Sequence, residues 1–156
     1  MQTMTEKRME NPATILPETM RALPHLIGAI KSGGLSDELG ELVSLRASQI
    51  NGCAGCVYGH IHKLRQLGVS DERIDTVAVW RHSPFFNEKE QAALALTEAA
   101  TRMADASEEA VSDATWERAR EYFDESEMAA LILQIGLINF FNRINVTIQE
   151  QAGVTW

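Results

Sequence analysis

Residues 36–60 read SDELGELVSLRASQINGCAGCVYGH, and their pattern decides the fold. Ser36 is a helix N-cap residue followed by two acids, Asp37 and Glu38, that suit a helix N-terminus. Leu39, Leu42, Val43 and Ile50 then give one apolar helical face. Asn51-Gly52 closes the helix in the manner of a glycine C-cap. A second helix starts at Cys53 and runs to about Leu67, where Gly68 stops it. Two amphipathic helices joined by a tight glycine turn make a helical hairpin. Its second arm opens on Cys53 and Cys56, the two cysteines of the 156-residue chain.

The rest of the chain repeats the helical reading. A helix is expected from about Pro17 to Ile30, ended by Lys31-Ser32-Gly33-Gly34. Ser70 caps one from Asp71 to about Trp80. Asn87 with Glu90 makes a capping-box start to one reaching about Met103. Ser112 or Asp113 opens one through Phe123, and the most apolar runs from about Ser126 to Ile144. No stretch alternates with the period of a strand. The expected fold is all-α: one domain over 1–156, a compact bundle of six to seven helices, with residues 1–12 as a loose lead-in. An apolar surface wrapping much of the last helix needs more than one neighbour. That helix is either the central core helix or a subunit interface.

Composition narrows the function. A chain of this length buries enough surface to fold without a disulfide. A net charge of −8 argues against nucleic acid and anionic membrane partners. Met1–Arg8 contains no apolar core region of a secretory signal. The apolar stretch from Met128 to Phe141, broken by Gln134 and Asn139, is too short to span a bilayer. A cytoplasmic location is therefore expected, where a lone C-x-x-C is catalytic or metal-binding more often than structural.

At about 100° per residue, Cys56 lies about 300° and His60 about 340° around the helix from Cys53, with His62 on the opposite side near 180°. His60 therefore shares a face with both sulfurs. An imidazolium neighbour favours the thiolate, which is the nucleophile. The helix N-terminus favours charge on Cys53 and the nearby base favours charge on Cys56, so spacing alone leaves the attacking sulfur open. In an antiparallel hairpin about Gly52, Glu41 stands about 16 Å and His60 about 12 Å from the turn, within one helical turn of level. Glu41 is thus the candidate carboxylate to orient His60.

Glu41, Cys53 twelve positions on, Cys56 and His60 together resemble the signature of the alkylhydroperoxidase AhpD-like proteins, within the carboxymuconolactone decarboxylase superfamily. Trp80, the 87–95 stretch and Asn139-Phe140-Phe141-Asn142-Arg143 resemble the second half of its short members. The resemblance implies an all-helical trimer or hexamer working as a thiol-dependent peroxidase in antioxidant defence. In that scheme Cys56 is the peroxidatic thiolate, Cys53 condenses with its sulfenic acid to a disulfide, His60 is the base and Glu41 its relay partner. The partners are a hydroperoxide and an external thiol reductant, a dihydrolipoamide-type adaptor or a thioredoxin-like protein. No cofactor and no metal are implied. One departure stands out: the best-studied branch carries a relay histidine directly before the second cysteine, and here that position is Gly55. Superfamily decarboxylases generally lack the cysteine pair.

Other readings compete. The pair could be a redox sensor without turnover. Cys53, Cys56 and His60, with His82 or Glu41, could ligate zinc in an interaction module. The two cysteines could also be buried small apolar residues, and Glu41 a solvated continuation of Asp37-Glu38. His25, His62 and His82 read as ordinary histidines, although His82 could border a pocket. Tyr58 and Trp80 read as core or pocket wall. Asn139 and Asn142 read as satisfiers of buried or inter-subunit groups, with Arg143 free to pair across an interface.

Overall fold

In the computed structural model, which describes residues 6–106 and 108–153, Asp37–Asn51 forms the helix around which the others pack. This is α3; before it come α1 (Pro12–Ile15) and α2 (Pro17–Lys31). After it come α4 (Ala54–Gln66), α5 (Asp71–Thr76), α6 (Glu88–Thr101), α7 (Asp113–Tyr122) and α8 (Glu125–Ile148). No strand occurs among the described residues. The expected all-α fold is observed, with the four-residue α1 as an added element.

The caps explain the boundaries. Ser36 accepts the Leu39 N–H, and Ser112 that of Thr115. Asn87–Glu90 forms a reciprocal capping box, and Asp124–Glu127 forms another. That second box starts α8 one residue ahead of the expected Ser126, and the helix runs four residues past Ile144. At 24 residues it is long and apolar enough, by length and composition, to cross a membrane. Here its Leu131, Ile135 and Ile138 are buried against the other helices. Ile132, Leu133 and Phe140 stay exposed on its other side. The helix expected over 71–80 breaks after Thr76 into a 3-10 turn, Val77–His82. The tighter i, i+3 repeat stacks Val77 and Trp80 on one side, and both are buried.

Three apolar clusters meet on α3 and α8. Leu39 and Val43 pack with Ala92, Leu96, Phe123, Leu131 and Ile135. Leu42 and Leu45, on the adjoining face of α3, pack with Leu64, Val77, Trp80 and Leu94. Leu23 and Ile30 of α2 join Ala13 against Ala130 and Leu137 of α8. Between α3 and α8 runs a polar seam. Asn51 Nδ2 donates to Asn139 Oδ1 and Asn142 Oδ1, both at 2.9 Å, and Asn142 Nδ2 donates to Ser48 Oγ at 3.0 Å. Gln134 Nε2 donates to Ser44 Oγ at 2.9 Å. Buried amides carry a desolvation cost unless partnered, so these bonds fix the register of α8 on α3. Arg143 donates to Asn139 on its own helix.

The lead-in expected to be loose is tied down where it is described; residues 1–5 lie outside the described residues. Arg8 N–H donates to Ile148 O at 2.8 Å, and Arg8 Nη1 reaches Thr147 O at 3.2 Å. The last carbonyls of a helix have no partner within it, and here the N-terminal segment supplies them.

One buried charge cluster escaped the sequence reading. Glu98 accepts Arg46 Nε at 2.9 Å, Trp80 Nε1 at 2.8 Å and Arg81 Nη1 at 2.6 Å. Arg81 stacks over the Trp80 ring, 4.2 Å from its centroid. Burial pushes the Glu98 carboxyl up, but hydrogen bonds from Arg81, Arg46 and Trp80 outweigh it and hold the group below the ordinary 4.5. A carboxylate depressed in the folded state stabilises the fold above its unfolded value, and that contribution is lost as pH falls through the folded value. Glu98→Gln is expected to lower stability at pH 7 by about 3 kcal/mol, since it leaves Arg46 buried without its counter-charge. Urea melts of wild type and variant should converge as the pH falls through the lowered folded value of Glu98; a gap unchanged at low pH would contradict the assignment.

Candidate active site

The site is built on the α3–α4 turn. Gly52 takes φ 67° and ψ 31°, a left-handed conformation that glycine adopts without Cβ strain. The following N–H, of Cys53, reaches back to Ser48 O at 3.0 Å. This closes α3 and releases the chain into α4. Cys53 is not the first helical residue, as the spacing predicts. It is the N-cap of α4 (φ −86°, ψ 96°), and its sulfur takes the place of a capping oxygen, accepting the Cys56 N–H at 3.3 Å. Helix boundaries read from sequence commonly shift by a residue, and here the shift puts Cys53 at the positive end of the helix rather than inside it.

Cys53 and Cys56 are joined as a disulfide, with Cα atoms 5.3 Å apart. Cys53 is 1% exposed and Cys56 7%. Asn145 of α8, which sequence reasoning passed over, donates from Nδ2 to Cys56 Sγ at 3.3 Å. No local motif marks it; it lies 89 residues from Cys56 and just beyond the expected end of its helix.

Glu41 and His60 meet across the hairpin. His60 Nδ1 and Glu41 Oε2 are 2.6 Å apart, and both side chains are largely buried. A carboxylate at Nδ1 holds the proton there and leaves Nε2 as the basic nitrogen. Lys63 Nζ stands 4.0 Å from the other Glu41 oxygen. Glu41, His60, Lys63, Cys56 and Asn145 border one cavity of ≈ 360 Å³. Its apolar wall comes from Met20, Leu23, Pro24 and Ile27 of α2 and from Ile138 and Phe141 of α8. Cys53 does not line it. That sulfur borders a second cleft of ≈ 430 Å³, formed with Gly52, Ala54, Val146 and the segment after α8.

The segment after α8 acts as a strap. Gln149 takes φ 59° and turns the chain back. Glu150 N–H then donates to Asn145 O at 2.9 Å, and Lys7 Nζ lies 3.7 Å from the Glu150 carboxylate. Gly55 lies beneath this strap: a Cβ there would sit 3.2 Å from Gln151 O. The missing histidine at position 55 is thus matched by backbone occupying the space beside it.

The remaining candidates fall elsewhere. His62 is exposed and pairs with Gln66; His25 and His82 are exposed and border neither opening. Tyr58 is exposed, and Trp80 is core. Among the described residues no group of three His, Cys, Asp or Glu is arranged to hold a metal ion.

The chain is similar to several known proteins. Residues 17–99 match the carboxymuconolactone decarboxylase family. The uncharacterized protein YdfG of Bacillus subtilis is 33% identical over 138 residues, 88% of this chain and 92% of the relative. A crystal structure of a protein of unknown function from Agrobacterium tumefaciens, named as a candidate antioxidant defence protein AhpD, is 37% identical. It superposes with a TM-score of 0.86 over 96% of this chain and 100% of that one. The debrominase Bmp8 shares the fold at 21% identity, with a TM-score of 0.79 over 90% of this chain and 74% of its own.

If Glu41 and His60 act on Cys56, their loss slows its chemistry without unfolding the protein. In the reduced protein at pH 7, His60→Ala is expected to slow alkylation of Cys56 by about tenfold or more, because less of it is thiolate. Glu41→Gln should give a smaller loss in the same direction. Alkylation at the wild-type rate in both variants would disconnect the pair from the sulfur.

Proposed function

The chain belongs to the carboxymuconolactone decarboxylase family, and from that premise we propose that it is an AhpD-like, thiol-dependent peroxidase of antioxidant defence. The observation that carries the reading is the single cavity shared by Cys56 and the Glu41–His60 pair. A nucleophile, a base and a group orienting that base are the parts that thiol catalysis requires. The likeness to a candidate antioxidant defence protein supports the same chemistry.

The cycle balances as follows. His60 takes the Cys56 proton. The thiolate attacks the terminal oxygen of the hydroperoxide, the O–O bond breaks, and the alkoxide leaves with the proton held by His60. Cys56 becomes the sulfenic acid. The Cys53 sulfur then attacks Cys56 Sγ; the S–S bond forms and water departs. Two electrons from an external dithiol, of the dihydrolipoamide or thioredoxin-like class, reopen the disulfide. The sum converts one hydroperoxide and two thiols to one alcohol, one water and one disulfide.

Setting and assembly belong to the same proposal. A reducing cytoplasm supplies the thiols that keep the pair turning over. Exposed Ile132, Leu133 and Phe140 on α8 form an apolar stripe that further copies of the chain, three or six in all, would cover.

A coupled peroxide-consumption assay tests the reading. With dithiothreitol or dihydrolipoamide as reductant, Cys56→Ser is expected to abolish turnover, and His60→Ala to reduce it by about 10²-fold. Cys53→Ser should accept one equivalent of peroxide and stop at a sulfenic acid trapped by dimedone. Full turnover in Cys56→Ser would remove the assigned nucleophile. Reversible oxidation without turnover would favour a redox sensor instead.

A further inference from the structure

The two sulfurs of the disulfide face different openings. Cys56 borders the apolar cavity with His60 and Glu41, and Cys53 borders the second cleft behind it. Thiol–disulfide exchange is an in-line displacement: the incoming thiolate approaches one sulfur along the S–S axis, and the other sulfur leaves. Each opening therefore corresponds to one outcome. Attack from the apolar cavity meets Cys56 and expels Cys53. Attack from the second cleft meets Cys53 and expels Cys56.

We infer that the reducing thiol enters through the second cleft and attacks Cys53, and that Asn145 is the residue that holds Cys56 as it leaves. This rests on the dithiol–disulfide cycle proposed above, and assigns its reductive half. Asn145 Nδ2 already donates to Cys56 Sγ at 3.3 Å. A thiolate is a far stronger acceptor than a disulfide sulfur, so the bond strengthens as charge develops there. His60, neutral after giving its proton to the alkoxide, borders the same cavity and can pass to Cys56 the proton that the reductant thiol sheds. A better-stabilised thiolate leaves faster.

Cys53 has a helper suited to the second step. The Cys56 N–H points at Cys53 Sγ, 3.3 Å away, at the N-terminus of α4. A negative charge at an N-cap is favoured by the free N–H groups and by the helix dipole. The bonds follow in order. The reductant thiolate bonds to Cys53 Sγ, the S–S bond breaks, and Cys56 departs as thiolate. The reductant's second thiolate then attacks its own bound sulfur, and Cys53 departs as thiolate. The reductant's two thiols become one disulfide, and two electrons and two protons reach the cysteine pair. Each sulfur thus leaves once, with its own donor in place. Asn145 borders both openings, so one amide stands between the peroxide side and the thiol side.

The test uses the oxidised, full-length wild-type protein, so no variant needs to fold. It is exposed briefly to 2-mercaptoethanol, quenched with excess N-ethylmaleimide, digested and sequenced by fragmentation mass spectrometry. The expected product carries mercaptoethanol on Cys53 and maleimide on Cys56. The reverse placement, or an even mixture, overturns the inference while leaving the peroxidase reading intact. A disulfide that neither 2-mercaptoethanol nor dithiothreitol reduces overturns both. As a second arm, Asn145→Ala should slow reduction by 2-mercaptoethanol and alkylation of Cys56 by about tenfold each, with Cys53 alkylation unchanged. Asn145→Ser, which keeps a donor, should recover part of the loss. Wild-type reduction kinetics in Asn145→Ala would remove that residue from the step.

Discussion

The hydrogen bond between Glu41 and His60 is the contact on which the site depends, and it exists because of a constraint on the backbone. A carboxylate and an imidazole 19 residues apart meet at 2.6 Å only if α3 and α4 fold back with their arms nearly level. The left-handed Gly52 sets that reversal. The burial of Leu42, Val43 and Leu45 then fixes the rotation of α3, so Glu41 emerges at the cavity edge instead of in solvent. The polar seam from Ser44 to Asn142 sets the position of α8, and with it the height at which Asn145 meets Cys56. The site is a by-product of three helices held in register by buried amides.

Around that register the disulfide divides the site into two sides. One is apolar and carries the base; the other is bordered by the strap that follows α8. Gly55 allows the strap to lie close over the start of α4. The best-studied branch that the signature resembles carries a histidine in that place, where this chain has a glycine beneath backbone. In the proposed cycle, proton handling falls to the Glu41–His60 pair, with Lys63 beside it.

Much of this was legible because it is local. Ser36, Gly52, Asn87 and Glu90 announce helix ends through hydrogen bonds made within four residues, and those ends lie where their chemistry puts them. The face shared by Cys56 and His60 follows from helical spacing. Levelling Glu41 with His60 needed one more premise, an antiparallel turn, and Gly52 supplied it. What stayed hidden is set by tertiary contact. Glu98 gathers Arg46 and Trp80 across 52 and 18 residues, and no pattern along the chain joins them. Asn145 resembles any amide on a helix until α8 is laid against α4. The helix over 71–80 broke because Val77 and Trp80 both seek the core. The lead-in was too polar to look anchored, yet Arg8 satisfies the end of α8. Asp124–Glu127 was the exception: a capping box in plain view, overlooked beside the apolar run that follows it.

The central claim is that Cys56, served by Glu41 and His60, passes oxidation to Cys53. A single-turnover experiment tests it most directly. Reduced protein is mixed with one equivalent of cumene hydroperoxide, quenched over time, and weighed intact beside the released alcohol. The account predicts one alcohol per chain and loss of two hydrogens from the protein mass, after a transient gain of one oxygen. Persistence of the reduced mass, or accumulation of two- and three-oxygen products with no disulfide, would contradict it.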